Sequence, residues 1–291
     1  MRRQELEQKA DQIEMVLSMN RAPGRVTGGQ VTPRLVQFLA QPAPGGNVNR
    51  VEALTTEIAL ALGVPHATVT RQGGAVRIDV PRSDAQPVQL ARMLSRIPAD
   101  RVPPMTALLG LAEDGAPLLA RFPSPEVGHV LISGKAGSGK TSLIVAMLLS
   151  LAYYNKPRDV QFILQGDGLA CLRELPHVLN SVSDAAALVD RRMAEGSITT
   201  PRVIVAIDDM GAVDRRIVDT LIGKGARVGV HVIAAARDLL NLPVKVKITA
   251  DHKSESKPGD FWTEFEHGVM RFDAAHIAGA DLRSFIQAIR G

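Results

Sequence analysis

The feature that most constrains the fold of this chain is a short glycine-rich segment between two apolar runs. The run His129–Ser133 is typical of a buried strand, and Lys140–Tyr154 is typical of an apolar helix. Between them, Gly134–Thr141 fits the pattern G-x-x-x-x-G-K-[ST], in which backbone N–H groups surround a phosphate at the helix N-terminus. A strand, a tight phosphate-binding turn and a helix in this order predict an α/β domain with a parallel sheet.

The residue types of this loop identify candidate ligands for a nucleotide. Lys140 is expected to reach the β- and γ-phosphates, and the Thr141 hydroxyl is expected to ligate Mg²⁺. ATP is favoured over GTP because no Asn-Lys-x-Asp segment is present to read guanine. ATP and Mg²⁺ are therefore the expected cofactors. The expected nucleotide-binding residues are Gly134, Lys135, Ala136, Gly137, Ser138, Gly139, Lys140, Thr141 and Ser142.

A second, acidic part of the site is expected on a neighbouring strand. The apolar run Arg202–Ile207 is followed directly by Asp208 and Asp209. A carboxylate at the C-terminal end of a parallel strand lies near the phosphate-bound metal, so Asp208 and Thr141 are the expected metal ligands, Asp208 acting through water. Asp209 stands where hydrolysing motors carry the base that orients the attacking water, with a side chain one methylene shorter than that of glutamate.

A catalytic arginine is also expected, because phosphoryl transfer develops negative charge that a guanidinium stabilises. Arg227 and Arg237 are the candidates, acting within one subunit or across a subunit boundary. The expected catalytic residues are Lys140, Asp209 and Arg237.

The pattern of the chain changes from one part to the next. Residues 1–25 predict an N-terminal amphipathic helix. Residues 26–104 predict a small α+β subdomain with a turn at Gly28-Gly29, closed by a proline-containing linker at 98–104. Residues 105–291 alternate continuous apolar runs with helical segments, which predicts a mainly parallel sheet covered on both faces.

Composition excludes several classes of protein. The 291 residues are 45% hydrophobic and include one cysteine, Cys171, which excludes a disulfide framework and a cysteine-rich zinc site. Aromatic residues make up 3%, too few for a single-strand binder that works by base stacking. No apolar run reaches the ~20 residues that cross a bilayer, so a cytoplasmic protein is expected. The net charge of +4 permits a polyanionic partner without requiring one.

Several segments, in the same order along the chain, resemble the FtsK/SpoIIIE family of double-stranded DNA translocases. Residues 127–142 are similar to the family's P-H-L-L-I-A-G-x-T-G-S-G-K-S. Residues 175–179 are similar to I-P-H-L-L, and 229–235 are similar to G-I-H-L-V-L-A-T. Nearer the N-terminus, 41–45 resemble Q-P-A-P-G and 78–82 resemble I-E-V-P-N.

This resemblance implies a motor unit made of a small α subdomain and a RecA-like P-loop NTPase domain. Members of the family form hexameric rings around duplex DNA, with ATP at the subunit boundaries. The implied partners are therefore double-stranded DNA and further copies of this chain, or related motor subunits. The motor region accounts for nearly the whole chain, so neither the family's membrane anchor nor its winged-helix domain is expected.

The chain departs from the family pattern close to the expected chemistry. The glutamate that follows the strand-end aspartate is replaced by Asp209, and the glutamine that senses the γ-phosphate is replaced by Ala236. The family's I-D-P-K run is replaced by residues 165–168, without the lysine. Two functions follow. The first is an ATP-hydrolysing translocase of double-stranded DNA; the alternative is a non-hydrolysing, ATP-gated DNA-binding or assembly protein on a degenerate motor scaffold.

Overall fold

A computed structural model describes residues 3–32, 35–84, 86–179, 182–196, 200–238, 241–250, 258–265 and 268–290. Contacts divide the chain into two compact units, Met1–Pro87 and Val88–Gly291.

The first unit contains short helices and antiparallel strands. Its elements are α1 (Arg3–Met19), β1 (Gly24–Val31), β2 (Leu35–Pro42), α2 (Val48–Glu52), α3 (Thr55–Ala61), β3 (Thr68–Gln72) and β4 (Ala75–Pro81).

The second unit contains the longer helices and the larger sheet. Its elements are β5 (Val88–Gln89), α4 (Leu90–Leu94), β6 (Thr106–Ala112), β7 (Pro117–Arg121), β8 (Val130–Ser133), α5 (Lys140–Tyr154), β9 (Val160–Gln165), β10 (Val178–Leu179), α6 (Val182–Glu195), β11 (Arg202–Ile207), α7 (Arg215–Lys224), β12 (Val230–Ala236), β13 (Val246–Ala250), β14 (Asp260–Phe265), β15 (Gly268–His276) and α8 (Gly279–Arg290).

The division between the units lies earlier than the sequence predicts. The predicted boundary was the segment 98–104, whereas the contacts divide the chain after Pro87. Leu90 and Leu94 of α4 explain the difference, because both are buried in the same apolar cluster as the strand β6 and the helix α5. The N-terminal helix, predicted as a separate region 1–25, is likewise part of the first unit, since α1 buries Ile13 in that unit's core.

The first unit is built on an antiparallel sheet with the strand order β1-β2-β4-β3. Alternate residues of β2 and β4, among them Phe38 and Ile78, are buried against α1 and α3. The predicted turn at Gly28-Gly29 is wrong, because these residues lie inside β1 and pair with β2. The backbone of Gly29 lies so close to β2 that a Cβ atom at this position would be 2.1 Å from the carbonyl oxygen of Gln37.

The second unit confirms the predicted α/β fold with a mainly parallel sheet. The strand order is β10-β9-β11-β12-β8-β13-β14-β15-β6-β7. Neighbouring strands from β10 to β13 are parallel, and those from β13 to β7 are antiparallel. The antiparallel part extends the sheet beyond what the apolar runs predict.

Both faces of the parallel strands are buried. In β11, Ile204 and Ala206 join the apolar cluster that contains α5, whereas Val203 and Val205 join the cluster that contains α7. This alternation follows from the two-residue period of a strand, and it leaves no face of these strands for solvent. Over the described residues, no helix combines the length and the apolar character needed to cross a membrane.

Two buried histidines lie next to each other, His129 directly before β8 and His231 in β12. His129 Nδ1 accepts a hydrogen bond from the backbone N–H of Val232 (3.1 Å), and His231 Nδ1 donates to the carbonyl oxygen of Gly128 (2.8 Å). The ring centroids are 6.3 Å apart. Burial, the larger cause for each ring, lowers the pKa of both imidazoles to about 4, and the His129 ring is lowered further by its neighbour His231. Both rings are therefore neutral in the folded protein at pH 7.

The free energy of unfolding should fall as the pH drops from about 6.5 to about 4. In that window the unfolded chain protonates these histidines while the folded chain does not, so each ring contributes a slope of up to about 1.4 kcal/mol per pH unit. Urea unfolding at a series of pH values can be followed by the fluorescence of Trp262, the single tryptophan, which lies in the second unit.

Two histidine variants test this prediction, one at a buried position and one, as the control, at an exposed position. His231→Gln should reduce the slope of stability against pH, and His276→Gln, at an exposed position, should leave it unchanged. Equal slopes in the wild type and in His231→Gln would show that the buried rings do not carry the pH dependence.

Candidate nucleotide-binding site

The site forms where parallel strands end at one edge of the sheet. The strands β9, β11, β12 and β8 are neighbours in that order, so their C-terminal ends meet. The phosphate-binding loop follows β8, Asp208 follows β11, and Arg237 follows β12. The backbone N–H of Gly134 lies within hydrogen-bond distance of the carbonyl oxygens of Ala236 (3.3 Å) and Arg237 (3.2 Å). The sheet therefore brings segments that are distant in sequence to one place, as open parallel sheets do.

The loop that follows β8 depends on glycines for its shape. Gly137 has φ +78° and Gly139 has φ +97°, values that side chains with a Cβ atom rarely adopt. Gly139 is also the residue before the first turn of α5, whose N-terminal N–H groups have no partners within the helix. The hydroxyl oxygen of Ser138 is buried in this loop and has no hydrogen-bond partner in the structure. A glycine cradle with a buried hydroxyl and a helix N-terminus is suited to a phosphate group.

Lys140, the first residue of α5, folds back over the loop. Its Nζ donates to the carbonyl oxygens of Gly134 (2.6 Å) and Lys135 (2.9 Å). Burial lowers the pKa of this ammonium group, and the nearby carboxylates Asp208 and Asp209 act in the opposite direction. The ammonium group thus sits at the mouth of the loop, where it can exchange carbonyl oxygens for phosphate oxygens.

The two predicted metal ligands are in direct contact. Thr141 Oγ1 donates to Asp208 Oδ1 (2.7 Å), although the two residues are 67 positions apart in the sequence. Within the described part of the chain, no group of three or more His, Cys, Asp or Glu side chains is arranged to hold a metal ion. A hydroxyl and one carboxylate fit Mg²⁺, which takes most of its ligands from phosphate oxygens and water at sites of this kind.

The two remaining predicted catalytic residues lie at the same edge. Asp209 is exposed, and its carboxylate accepts a hydrogen bond from the backbone N–H of Gly211 (2.9 Å), which caps the short turn Met210–Ala212. Arg237 is exposed directly after β12, and its backbone carbonyl oxygen accepts a hydrogen bond from Gly134 N–H of the loop. The structure therefore brings Asp209 to the site with its carboxylate engaged, and leaves the Arg237 side chain at the surface.

Two further segments at the site were not predicted from the sequence as site residues. Gly166 and Gly168 follow β9 and pack against Asp208. The backbone N–H of Gly259 donates to the carbonyl oxygen of Ser138 (3.0 Å), so the start of β14 closes on the loop. A pair of glycines just after a parallel strand is the sequence signal that identifies the first segment. No local sequence pattern identifies the second segment, at Gly259, because its contact with the loop depends on the order of the strands in the sheet.

Family assignment agrees with this geometry. The sequence model of the FtsK/SpoIIIE family matches residues 90–258, which is more than half of the chain. The chain belongs to the FtsK/SpoIIIE family. The model of the FtsK alpha domain matches residues 1–82, so the two matches fall on either side of the division after Pro87.

Relatives within the FtsK/SpoIIIE family are DNA translocases of several bacteria. The chain is 29% identical to DNA translocase FtsK of Mycobacterium leprae over 62% of this chain and 23% of the relative. It is 31% identical to FtsK of Brucella suis over 61% of this chain and 21% of the relative, and 29% identical to DNA translocase SftA of Bacillus subtilis over 62% of this chain and 20% of the relative. The matched region thus spans about a quarter or less of these relatives.

Solved structures of P-loop ATPases share the fold. The cytoplasmic domain of the type VII secretion ATPase EccC of Thermomonospora curvata superposes with a TM-score of 0.55 at 17% identity, over 70% of this chain and 34% of that one. The conjugation coupling protein TcpA of pCW3, solved with ATPγS, superposes with a TM-score of 0.53 at 13% identity, over 98% of this chain and 100% of that one. At sequence identities this low, the structural likeness establishes the fold of this chain and nothing further.

Replacement of Lys140 should weaken the binding of nucleotides that carry β- and γ-phosphates more than the binding of AMP. Lys140→Ala is expected to lower the affinity for ATP by roughly 30- to 100-fold, the range for the loss of one charge-assisted hydrogen bond. The affinity for AMP should change little, because AMP has neither a β- nor a γ-phosphate. Isothermal titration calorimetry measures both affinities.

Lys156→Ala is the charge-matched control, because Lys156 is exposed in the turn between α5 and β9. It should bind ATP as the wild type does. An equal loss in both variants would show that net charge, rather than the position of Lys140, controls binding.

Proposed function

We propose that this chain is the ATPase motor unit of a DNA translocase, which binds ATP with Mg²⁺ at the loop 134–142 and hydrolyses it while it acts on double-stranded DNA. The observation that carries the proposal is the contact between Thr141 and Asp208, at 2.7 Å, in a member of the FtsK/SpoIIIE family. This contact joins the phosphate-binding loop to the strand-end carboxylate, the two parts that ATP-hydrolysing P-loop proteins need together.

The proposed chemistry distributes roles among the site residues. The backbone N–H groups of the loop and the ammonium group of Lys140 bind the phosphates. Thr141 and Asp208 hold the metal ion, which supplies positive charge to the phosphate oxygens when it is bound. Asp209 orients the attacking water, and Arg237 stabilises the developing charge, in its own subunit or in a neighbouring one.

The proposed partners are duplex DNA and further copies of the chain, in a hexameric ring, or related motor subunits. DNA would be held through its phosphates, which suits a motor that passes over any sequence and agrees with the scarcity of aromatic residues. The two units correspond in this proposal to an α subdomain and a RecA-like ATPase domain. The chain is proposed to act in the cytoplasm.

The motor proposal predicts ATP hydrolysis that duplex DNA stimulates. Phosphate release by the purified chain should rise several-fold when linear duplex DNA is added, and Lys140→Ala should abolish the stimulated rate. Single-stranded DNA of the same sequence is the control for the nucleic acid, and Lys156→Ala is the control for charge. ATP binding without hydrolysis above the Lys140→Ala background, with and without DNA, would exclude the motor.

A second function is favoured by one specific contact, the cap formed by Asp209. The carboxylate already accepts a hydrogen bond from Gly211 N–H, and its side chain is shorter than that of glutamate. Orientation of a water would require this carboxylate to leave its cap or to share it. The alternative function is therefore a non-hydrolysing, ATP-gated DNA-binding or assembly protein, in which ATP drives DNA binding or oligomerisation without turnover.

Lengthening the side chain at position 209 separates the two functions. If Asp209 limits hydrolysis, Asp209→Glu should raise the rate of phosphate release by tenfold or more at unchanged affinity for ATP. Asp209→Asn keeps the length and removes the charge, so it is the matched control and should show no increase. A wild-type rate that lies well above the Lys140→Ala background, and that matches or exceeds the rate of Asp209→Glu, would contradict the non-hydrolysing function.

A further inference from the structure

The loop after β9 approaches the metal-binding carboxylate more closely than any side chain would allow. A Cβ atom at Gly168 would lie 2.1 Å from Asp208 Oδ2 and 2.8 Å from Thr141 Cγ2. Real Cβ atoms are essentially never closer than 3.0 Å to such neighbours. At Gly166, a Cβ atom would lie 2.8 Å from Asp208 Cβ. The backbone of this loop therefore lies directly against the side chain of Asp208.

The Asp208 carboxylate is confined from two sides. Its Oδ1 accepts the hydrogen bond from Thr141 Oγ1, and its Oδ2 lies against the backbone of Gly168. The backbone N–H of Asp208 also donates to the carbonyl oxygen of Gln165 (2.9 Å), which holds the end of β11 to the end of β9. Both oxygens of this carboxylate therefore have close neighbours, the Thr141 hydroxyl at Oδ1 and the Gly168 backbone at Oδ2.

The loop itself cannot easily retreat. Gly168 belongs to the short helical turn Asp167–Leu172, and the side chains of Leu169 and Leu172 are fully buried in the core beneath it. Displacement of the turn would pull both leucines from a packed apolar cluster, which is strongly unfavourable. An added side chain at Gly168 would therefore move the lighter and more exposed partner, the Asp208 carboxylate.

We propose that Gly168 is a positioning residue for the metal site: its backbone holds the Asp208 carboxylate on the Thr141 hydroxyl, in the orientation that Mg²⁺-bound ATP requires. This inference rests on the proposed function, because it assumes that the Thr141–Asp208 pair holds Mg²⁺. Gly168 supplies no ligand atom of its own. It acts through Asp208, and its small size is what the role demands.

The proposal separates two contributions to the affinity for ATP. Phosphate binding by the loop and by Lys140 does not involve Asp208 and is present without a metal. The gain in affinity on addition of Mg²⁺ depends on the Asp208 carboxylate. Gly168→Ala should therefore reduce the gain by about tenfold and leave the affinity in EDTA within about twofold of the wild-type value.

Calorimetric titration with ATPγS, in Mg²⁺ and in EDTA, measures both quantities for the full chain. Ala170→Ser is the matched control, since it adds one atom at an exposed position of the same turn. It should keep the wild-type gain. Asp208→Ala should lose the gain, and addition of Gly168→Ala to it should cause no further loss, because the carboxylate through which Gly168 acts is then absent.

The outcomes distinguish the inference from the function on which it rests. Wild-type protein that binds ATPγS no better in Mg²⁺ than in EDTA would overturn the proposed metal site, and the inference with it. A wild-type gain that survives in Gly168→Ala, or a loss that is repeated in the Asp208→Ala background, would overturn the inference alone. If Gly168→Ala does not fold, as judged by Trp262 fluorescence, the double variant is combined with Thr141→Ser, which removes the Cγ2 atom that the new Cβ would also meet. A folded triple variant supports the proposal, and an unfolded one overturns it.

Discussion

Burial of both faces of the parallel strands is the constraint on which the rest of the second unit depends. Strands such as β11 place alternate side chains into two separate apolar clusters, so neither face can carry a polar group without a large cost in desolvation. In β11, charged residues are therefore confined to the two ends, with Arg202 at the start and Asp208 directly after the last residue. Because the strands are parallel, their C-terminal ends share one edge, and Asp208 reaches the phosphate-binding loop as a direct result.

Glycine serves this site in two physically different ways. At Gly137 and Gly139 it permits backbone angles that form a phosphate cradle. At Gly168 the requirement is space, because the backbone lies against Asp208 where a Cβ atom has no room. The first use makes the anion site and the second shapes the carboxylate next to it. If Asp208 holds Mg²⁺ as proposed, the affinity for phosphate and the affinity for the metal can be changed separately.

In the proposed function, binding and hydrolysis of ATP depend on different contacts at this edge. The Thr141–Asp208 hydrogen bond forms without any involvement of Asp209, whose carboxylate caps the turn Met210–Ala212. A chain can keep the Thr141–Asp208 contact while its capacity to hydrolyse ATP changes. This separation explains why a single FtsK/SpoIIIE scaffold supports both the motor proposal and the alternative of an ATP-gated binding protein.

The amino-acid sequence by itself determined the features that depend on local order. The strand–loop–helix unit around Gly134–Thr141, the acidic end of β11 and the alternation of apolar runs with helices all predicted the α/β fold, because each pattern is contained within a few tens of residues. The sequence also predicted that the loop, Asp208 and Asp209 are site residues. It could not show that the Asp209 carboxylate would cap a turn.

The tertiary structure alone decided the features that depend on distant parts of the chain. The division after Pro87 follows from the burial of α4 against elements that come later in the sequence. Gly29 lies in a strand because β2 passes close beside it, which overrides the turn preference of a glycine pair. Gly168 meets Asp208 only because β9 and β11 are neighbours in the sheet. Local patterns carry no information on which strands pair, and that pairing sets the final geometry of the site.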